Sequence, residues 1–198
     1  VVVIGAGSAG LVSAYICAIL KAKVLLIERH KMGGDCLNTG CVPSKALIRT
    51  TTFLSYIRRH KEFGLDEARA EFRFSEVMER VQRVIRKVAP HDSVERYTSL
   101  GVECARGEAR ILSPHAVKVD SRTVTAKNII LASGATPAVP SIPGLDKIRY
   151  YHTDNIWDIR EQPRRLAVIG GGPIGCELGQ CFARLGTKVI QVQTASQL

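Results

Sequence analysis

The apolar residues of this chain form short continuous runs that alternate with longer segments of helical spacing. Runs of four or five apolar residues are typical of strands buried on both faces of a parallel sheet. The sequence predicts such strands at 1–4, 23–27, 128–131, 166–169 and 188–192, and helices at 11–20, from about 43, at 75–100, at 151–160 and up to about 185. Shorter strands near 102–105, 116–119 and 123–125 predict a small β-meander. This alternation indicates an α/β fold with a doubly wound parallel sheet.

A glycine-rich loop follows the first strand. Gly5, Gly7 and Gly10 have the spacing G-x-G-x-x-G, which permits a tight turn, close approach of a pyrophosphate, and close packing of helix on strand. The following helix offers unpaired N–H groups to phosphates. Glu28 ends the second strand 18 residues after Gly10, where a carboxylate can accept hydrogen bonds from a ribose hydroxyl. Together these features predict a dinucleotide site and disfavour an unrelated glycine-rich turn.

The same unit occurs again near the end of the sequence. Gly170, Gly172 and Gly175 repeat the glycine spacing, and Gln193 lies 18 residues after Gly175. Gln193 can hydrogen-bond a ribose hydroxyl, but it neither repels a 2′-phosphate as Glu would nor attracts one as Arg would. The repeat indicates either a site for a second nucleotide or an inherited loop that binds none. The choice between NAD and NADP as the second nucleotide stays open.

Two cysteines lie five positions apart in the segment 33–45, which reads G-G-D-C-L-N-T-G-C-V-P-S-K. Cys36 and Cys41 indicate a reversible disulfide, and the upstream loop indicates a redox cofactor that could exchange electrons with it. Pro43 suits a first helical turn, and the dipole of that helix favours a thiolate at Cys41. A purely structural disulfide is the weaker alternative, because a chain without a signal peptide is expected in the cytoplasm, where such disulfides are rare.

Four sequence blocks resemble the flavin-dependent pyridine nucleotide–disulfide oxidoreductases. They are the first loop with Glu28, the cysteine segment, the block 129–137 with Ala132-Ser133-Gly134, and the second loop with Glu177. Ser133 replaces the usual threonine of the third block and keeps its hydroxyl. The ending Pro43-Ser44-Lys45 is more similar to the lipoamide and mercuric branches than to the glutathione branch.

The resemblance implies a Rossmann-like fold that binds FAD on the first loop and NAD or NADP on the second. It makes Cys36 the thiol that meets the substrate and Cys41 the thiol that faces the flavin. Lys45 would lie near the flavin N5 edge and pair with Glu177. The residues expected to bind the two cofactors are Gly5, Gly7, Ser8, Ala9, Gly10, Glu28, Arg29, Gly34, Asp35, Cys36, Lys45, Ser133 and Gly134 for FAD, and Gly170, Gly172, Ile174, Gly175 and Gln193 for the nicotinamide nucleotide.

The resemblance also implies two domains and a wider assembly. We expect an FAD-binding domain with the redox disulfide over 1–150, and the start of an incomplete NAD(P)-binding domain over 151–198. The expected enzyme is most like dihydrolipoamide dehydrogenase, acts on a small-molecule or lipoyl-type disulfide or dithiol, and forms a homodimer. The alternatives are a mercuric reductase-like enzyme and a non-catalytic nucleotide-binding or redox-sensing module. We expect the chain to be part of a longer protein that supplies the catalytic base, and to be inactive by itself.

The charge and the remaining polar residues change this interpretation little. The net charge is +10, and Arg80, Arg83 and Lys87 share one face of the helix predicted at 75–100. A solvated face is a better interpretation of that stripe than a nucleic-acid surface. No run of about 20 apolar residues predicts a membrane span, and no cysteine or histidine spacing predicts a metal site. Core packing is expected for Cys17, Cys104, Cys176 and Cys181.

Overall fold

The computed structural model describes residues 1–194, and the chain divides into two compact units. The first unit consists of Val1–Cys41 and Ile85–Tyr150, and the second of Val42–Val84 and Tyr151–Leu198. The last four residues, which belong to the predicted second domain, lie outside the described part of the chain. Residues 42–84, which the sequence grouped with the first domain, pack in the second unit instead.

Among the described residues, helices and strands alternate in β1-α1-β2 and in β8-α6-β9, and a run of helices followed by a run of strands lies between these two units. The helices are α1 (Ser8–Ile19), α2 (Gly34–Asn38), α3 (Cys41–Arg58), α4 (Phe74–Val88), α5 (Val94–Ser99) and α6 (Pro173–Leu185). The strands are β1 (Val2–Ile4), β2 (Val24–Glu28), β3 (Val102–Arg106), β4 (Ala109–Ser113), β5 (Ala116–Val119), β6 (Arg122–Thr125), β7 (Ile129–Leu131), β8 (Arg165–Ile169) and β9 (Lys188–Val192).

The first unit is built on a parallel sheet with the strand order β3-β2-β1-β7. Successive side chains of a strand point to opposite faces of the sheet. On one face, Val3 and Leu26 pack in a core with Leu11 of α1 and Tyr97 of α5. On the other face, Val2, Leu25 and Ile27 pack against Val117 and Val119 of the antiparallel meander β4-β5-β6. Both faces of the strands are therefore covered, which explains their uninterrupted apolar runs.

The second unit combines the helices α3 and α6 with the parallel pair β8-β9. Phe74 at the start of α4 lies against Phe182 of α6, with ring centroids 6.1 Å apart. Met78 and Val81 of α4 are fully buried. The segment before β8 is anchored where Gln82 donates a hydrogen bond of 3.2 Å to the carbonyl oxygen of Trp157. The α/β class, with its parallel sheets and small meander, is confirmed.

The helix predicted at 75–100 is wrong in its extent, because it is three elements. After α4 ends at Val88, a 3-10 helix covers Ala89–Asp92 and α5 follows. Pro90 has no N–H to donate and restricts the residue before it, so the α-helix cannot continue through it. Ser93 then caps α5, since its Oγ accepts a hydrogen bond of 3.2 Å from the N–H of Arg96.

Two other predicted elements also differ from the structure. The strand expected near 102–105 as part of the meander is β3, which pairs parallel with β2 from Val24 and Val102 onward. The third strand of the meander is β4, whose mostly exposed residues carry no apolar run. The helix expected at 151–160 is only the 3-10 turn Ile156–Asp158.

The basic stripe on α4 is not uniformly solvated. The guanidinium of Arg80 donates hydrogen bonds to the carbonyl oxygen of Ala46 at 2.7 Å and to Oγ1 of Thr50 at 3.1 Å. Arg80 therefore ties α4 to α3, whereas Arg83 and Lys87 are exposed. The prediction of a solvated face was wrong for Arg80.

Candidate active site

The first glycine loop connects β1 to α1 through a turn that only glycine fits. Gly5 has φ 99°, in the left-handed region, and a Cβ there would overlap the carbonyl oxygen of Ala132. Gly7 is the N-cap of α1, and Ser8 and Ala9 are exposed in its first turn. The loop thus presents backbone and unpaired helix N–H groups outward, an arrangement that binds phosphates.

The segment that carries the first cysteine packs directly on this loop. Gly34 has φ 52°, and a Cβ at that position would lie 2.5 Å from the Cα of Gly7. The N–H of Gly33 donates a hydrogen bond of 2.9 Å to the carbonyl oxygen of Ala6. Asn38 stabilises this segment, because its side-chain amide donates hydrogen bonds of 3.0 and 2.8 Å to the carbonyl oxygens of Met32 and Gly34. The glycine pair before the cysteine therefore exists to bring α2 against the dinucleotide loop.

Glu28 holds the loop from the end of β2. Its Oε2 accepts a hydrogen bond of 2.7 Å from the N–H of Ala6, and its Oε1 accepts one of 2.8 Å from the N–H of His30. Each carboxylate oxygen has a further lone pair, so these bonds leave capacity for a ribose hydroxyl. The contact of Glu28 with a ribose hydroxyl stays a prediction.

A cavity of about 400 Å³ opens at the carboxyl edge of the parallel sheet. Ligands of open α/β sheets bind at this edge, and the volume is in the range of small-molecule sites, roughly 300–1,000 Å³. Five residues of the predicted FAD set lie in its lining. The lining is Ile4, Gly5, Ile27, Glu28, Arg29, Gly107, Glu108, Ala109, Ser133, Gly134, Ala135 and Thr136. The other predicted first-unit residues lie in the glycine loop and on α2, and Asp35 of α2 lies near Gly134.

Both candidate redox cysteines lie in the first unit as thiols. Cys36 is half-buried within α2, and Cys41 is exposed as the first residue of α3. The helix therefore begins two residues before Pro43, near which its start was predicted. Cys41 is the first residue of an 18-residue helix, where the backbone N–H groups have no partner within the helix.

Lys45 and Glu177 form an ion pair within the second unit. The ammonium of Lys45 on α3 donates to both carboxylate oxygens of Glu177 on α6, at 2.7 and 2.8 Å. Their contact, which the resemblance predicts, is confirmed. The side chains keep 59% and 36% of their accessible surface, so the pair contributes at most about 1 kcal/mol to stability.

The second loop brings its predicted residues together between β8 and α6. Pro173 begins the helix, and a Cβ at Gly175 would overlap the carbonyl oxygen of Gly170. A Cβ at Gly172 would meet no atom within 4 Å, so the space in front of the loop is open. Ile174 is exposed beside it. Gln193 accepts a hydrogen bond of 3.0 Å from the N–H of Gly171 through its Oε1.

Sequence reasoning missed two residues that hold this second loop. The amide of Gln191 donates to the carbonyl oxygen of Gly170 at 2.9 Å and to Sγ of Cys176 at 3.5 Å. The thiol of Cys176 donates to the carbonyl oxygen of Gly171 at 3.3 Å. The available signal was a glutamine at a half-buried position within the otherwise apolar run of β9.

The remaining cysteines differ in environment. Cys181 is fully buried and accepts a hydrogen bond of 3.4 Å from Oγ1 of Thr51. Burial raises the pKa of the Cys181 thiol, and the Thr51 hydrogen bond offsets part of that rise. Burial likewise raises the pKa of Cys104. Cys17 and Cys104 pack beside the core of the first unit, as predicted.

Residues 1–194 contain neither a candidate membrane span nor a candidate metal site. No helix in this part of the chain is both long and apolar enough to cross a membrane. No group of three or more His, Cys, Asp or Glu side chains in the same range could hold a metal ion.

Comparison with protein families gives one match that spans the whole chain. The family model described as pyridine nucleotide-disulphide oxidoreductase matches residues 1–198. The chain is 34% identical over 197 residues to mercuric reductase of Bacillus cereus, covering 100% of this chain and 31% of that protein. It is 35% identical over 202 residues to dihydrolipoyl dehydrogenase of Geobacillus stearothermophilus, covering 99% of this chain and 42% of that protein.

Comparison with solved structures agrees with the sequence comparison. The HOCl-induced flavoprotein disulfide reductase RclA from Escherichia coli superposes with a TM-score of 0.83 at 26% identity, covering 99% of this chain and 42% of that chain. The chain thus spans less than half the length of each of these three relatives.

Proposed function

Because the chain belongs to the pyridine nucleotide-disulphide oxidoreductase family, we propose that the protein moves electrons between a nicotinamide dinucleotide and a disulfide or dithiol substrate, with FAD and the Cys36–Cys41 pair between them. The observation that carries the proposal is the close approach of Gly34 to Gly7. It joins the cysteine segment to the first dinucleotide loop inside one packed unit.

The first unit fits FAD. The loop from Gly5 to Gly10 and the N-terminus of α1 would hold the pyrophosphate, and Glu28 would accept from the ribose. Arg29, Ser133 and Gly134 line the cavity of about 400 Å³ that would receive part of the cofactor. When bound, FAD would supply a two-electron acceptor and donor that neither cysteine nor nicotinamide can replace.

The cysteine pair can carry out thiol–disulfide exchange by itself. The thiolate of Cys36 attacks a substrate disulfide, forms a mixed disulfide and releases one substrate thiol. The thiolate of Cys41 then attacks the Cys36 sulfur, forms the Cys36–Cys41 disulfide and releases the second thiol. The exchange converts one dithiol into one disulfide, so two electrons and two protons pass to the substrate. In the reverse direction the substrate dithiol is oxidised.

Lys45 and Glu177 have the properties of a charge-controlling pair. Lys45 follows Cys41 by one helical turn on α3, and Glu177 holds its ammonium with both carboxylate oxygens. An ammonium fixed in this way can stabilise negative charge that develops on a neighbouring group without having to reorganise. We propose that this group is the reduced flavin.

The second loop is the proposed nicotinamide site. Its helix N-terminus would receive the pyrophosphate, and the open space at Gly172 gives the phosphates access to the backbone. Ile174 would pack on the nucleotide, and Gln193 would contact its ribose.

The proposed substrate is a lipoyl-type disulfide or dithiol, as in dihydrolipoamide dehydrogenase. The Pro43-Ser44-Lys45 ending and the identity to dihydrolipoyl dehydrogenases support it. A mercuric reductase-like activity is the second candidate, because mercuric reductases are 32–34% identical to this chain. A homodimeric whole protein in the cytoplasm is part of the same proposal and rests on the family resemblance.

The test is oxidation of NADH or NADPH by the purified whole protein in the presence of either lipoamide or mercuric ion. We expect bound flavin and lipoamide-dependent oxidation of NADH or NADPH that Cys36→Ser abolishes. Oxidation that depends on mercuric ion alone would favour the second candidate. A protein that retains no flavin and oxidises neither nucleotide would be the non-catalytic module, and the proposal would be wrong.

A further inference from the structure

The two dinucleotide loops make the same backbone contact with chemically different side chains. Oε2 of Glu28 accepts from the N–H of Ala6, and Oε1 of Gln193 accepts from the N–H of Gly171. Each acceptor lies 22 residues beyond its donor and directly follows the residue that pairs with the end of the strand before the loop, Ile27 with Ile4 and Val192 with Ile169. Gln193 is therefore the structural counterpart of Glu28.

The atoms that remain for a ligand differ between the two sites. Both oxygens of Glu28 accept backbone hydrogen bonds, and the group that faces a ribose carries a negative charge. Because Gly171 donates an N–H, the atom of Gln193 that it meets must be the amide oxygen. The amide nitrogen of Gln193 is thus the outer atom, and it is a neutral donor of hydrogen bonds.

The loop on which Gln193 acts is held from the other side as well. Gln191 and Cys176 contact the carbonyl oxygens of Gly170 and Gly171. At the corresponding positions of the first unit, Leu26 and Leu11 are buried and apolar. The second loop therefore has three side chains that fix the direction of its peptide groups, which keeps the Gly171 N–H directed at Gln193.

We propose that Gln193 allows the second loop to bind dinucleotides with and without a 2′-phosphate, NADP(H) and NAD(H), with similar affinity. The inference rests on the proposed function of that loop as the nicotinamide site. A neutral amide donor can bond either a ribose hydroxyl or a phosphate oxygen, whereas a carboxylate in the same place repels the phosphate. Gln193 is thus the residue that removes discrimination between the two nucleotides.

The test measures equilibrium binding of NAD⁺ and NADP⁺ to the purified whole protein by titration calorimetry. The oxidised nucleotides are used so that binding is observed without reduction of the flavin. For the unmodified protein we expect dissociation constants that agree within about fivefold. For Gln193→Glu we expect NADP⁺ to bind at least about tenfold more weakly, with NAD⁺ affected little. Because that loss is electrostatic, added salt should reduce it.

Gln193→Met is the matched control. It removes the acceptor for the Gly171 N–H without adding charge, so it should weaken both nucleotides equally and leave their ratio unchanged. Melting curves of the three proteins should show that each is folded. The first unit already has a glutamate, Glu28, at the position that corresponds to Gln193.

The possible failures are distinct. A preference of more than about tenfold in the unmodified protein, or an unchanged ratio in Gln193→Glu, would overturn the inference and leave the proposed function intact. Binding of neither nucleotide to the unmodified protein would overturn the inference and the nicotinamide site together.

Discussion

The ammonium of Lys45 lies 2.7 Å from Oε1 and 2.8 Å from Oε2 of Glu177, although 132 positions separate the two residues in the sequence. The two residues lie on different helices, α3 and α6, each within the first turn or two after its N-terminus. An exposed ion pair of this kind stabilises little, so its removal can test the role proposed for it beside the flavin without unfolding the protein.

Replacing Glu177 tests that role. Glu177→Gln should change the free energy of unfolding by less than about 1 kcal/mol, because both partners are partly exposed. It should slow reduction of the flavin by NADH at least about tenfold while the flavin stays bound, since the fixed ammonium loses its counter-charge. Rapid-mixing absorbance measures the rate. Glu76→Gln, which removes the exposed ion pair with Arg73, is the control and should change neither quantity. A wild-type rate in Glu177→Gln would contradict the assigned role.

Replacement of Gly34 is predicted to weaken the retention of FAD. Gly34→Ala places a Cβ 2.5 Å from the Cα of Gly7 and keeps a residue with φ 52°. The backbone must shift, so we expect a loss of about 1–3 kcal/mol in the free energy of unfolding and partial loss of flavin. Gly64→Ala has φ 72° but no atom within 4 Å of the new Cβ, and should show the backbone strain without the loss of flavin. Full flavin content in purified Gly34→Ala would show that the close approach is dispensable.

Glu28 should accept hydrogen bonds from the FAD ribose and from the loop, and two variants test the contact with the loop. Glu28→Leu leaves the Ala6 N–H without its acceptor, which should cost about 1–3 kcal/mol of stability along with affinity for FAD. Glu28→Gln keeps an acceptor, as Gln193 does in the second unit, and should recover most of the stability. Denaturant unfolding and flavin titration give the two quantities. Equal stability of the two variants would mean that the hydrogen bond from the Ala6 N–H does not contribute to the free energy of unfolding.

The thiols should differ in alkylation as the pH rises. Cys41 is exposed at a helix N-terminus and should react first, whereas Cys181 and Cys104 should react last because burial raises their pKa. These two thiols, one buried and one half-buried, keep their protons at pH values at which unfolded thiols, with an ordinary pKa of 9.0, release them. The folded state therefore loses stability as the pH rises above 9.0. Mass spectrometry after timed exposure to iodoacetamide gives the order. Early modification of Cys181 would contradict its burial.

The local sequence pattern was sufficient to predict the β-α-β units, but it was not sufficient to predict which strands pair in a sheet. Apolar runs and glycine loops are local signals, and they predict the strands β1, β2, β8 and β9 and the helices α1 and α6. The partner of β3 was not predictable, because pairing with β2 joins residues as distant as Val24 and Val102. The end of α4 could have been placed from Pro90, a local signal that the amphipathic pattern obscured.

The candidate site divides in the same way. Residue type and spacing alone were sufficient to identify the glycine loops, Glu28 and the cysteine segment as candidate site residues. The contact of Lys45 with Glu177 came from the family resemblance, since no spacing predicts it. The contacts of Gln191 and Cys176 with the second loop were missed, because each depends on the packing of α6 against β9.

The measurement that tests the central claim most directly is the absorption spectrum of the purified whole protein and of its Cys36→Ser and Cys41→Ser variants during anaerobic reduction by two electrons. If Cys36 and Cys41 are a redox pair beside a bound flavin, the unmodified protein shows flavin bands and gains a long-wavelength band from contact between the Cys41 thiolate and the flavin. Cys36→Ser should keep that contact and lose disulfide turnover, and Cys41→Ser should lose the band. A colourless protein, or full activity toward disulfide substrates in both variants, would contradict the account.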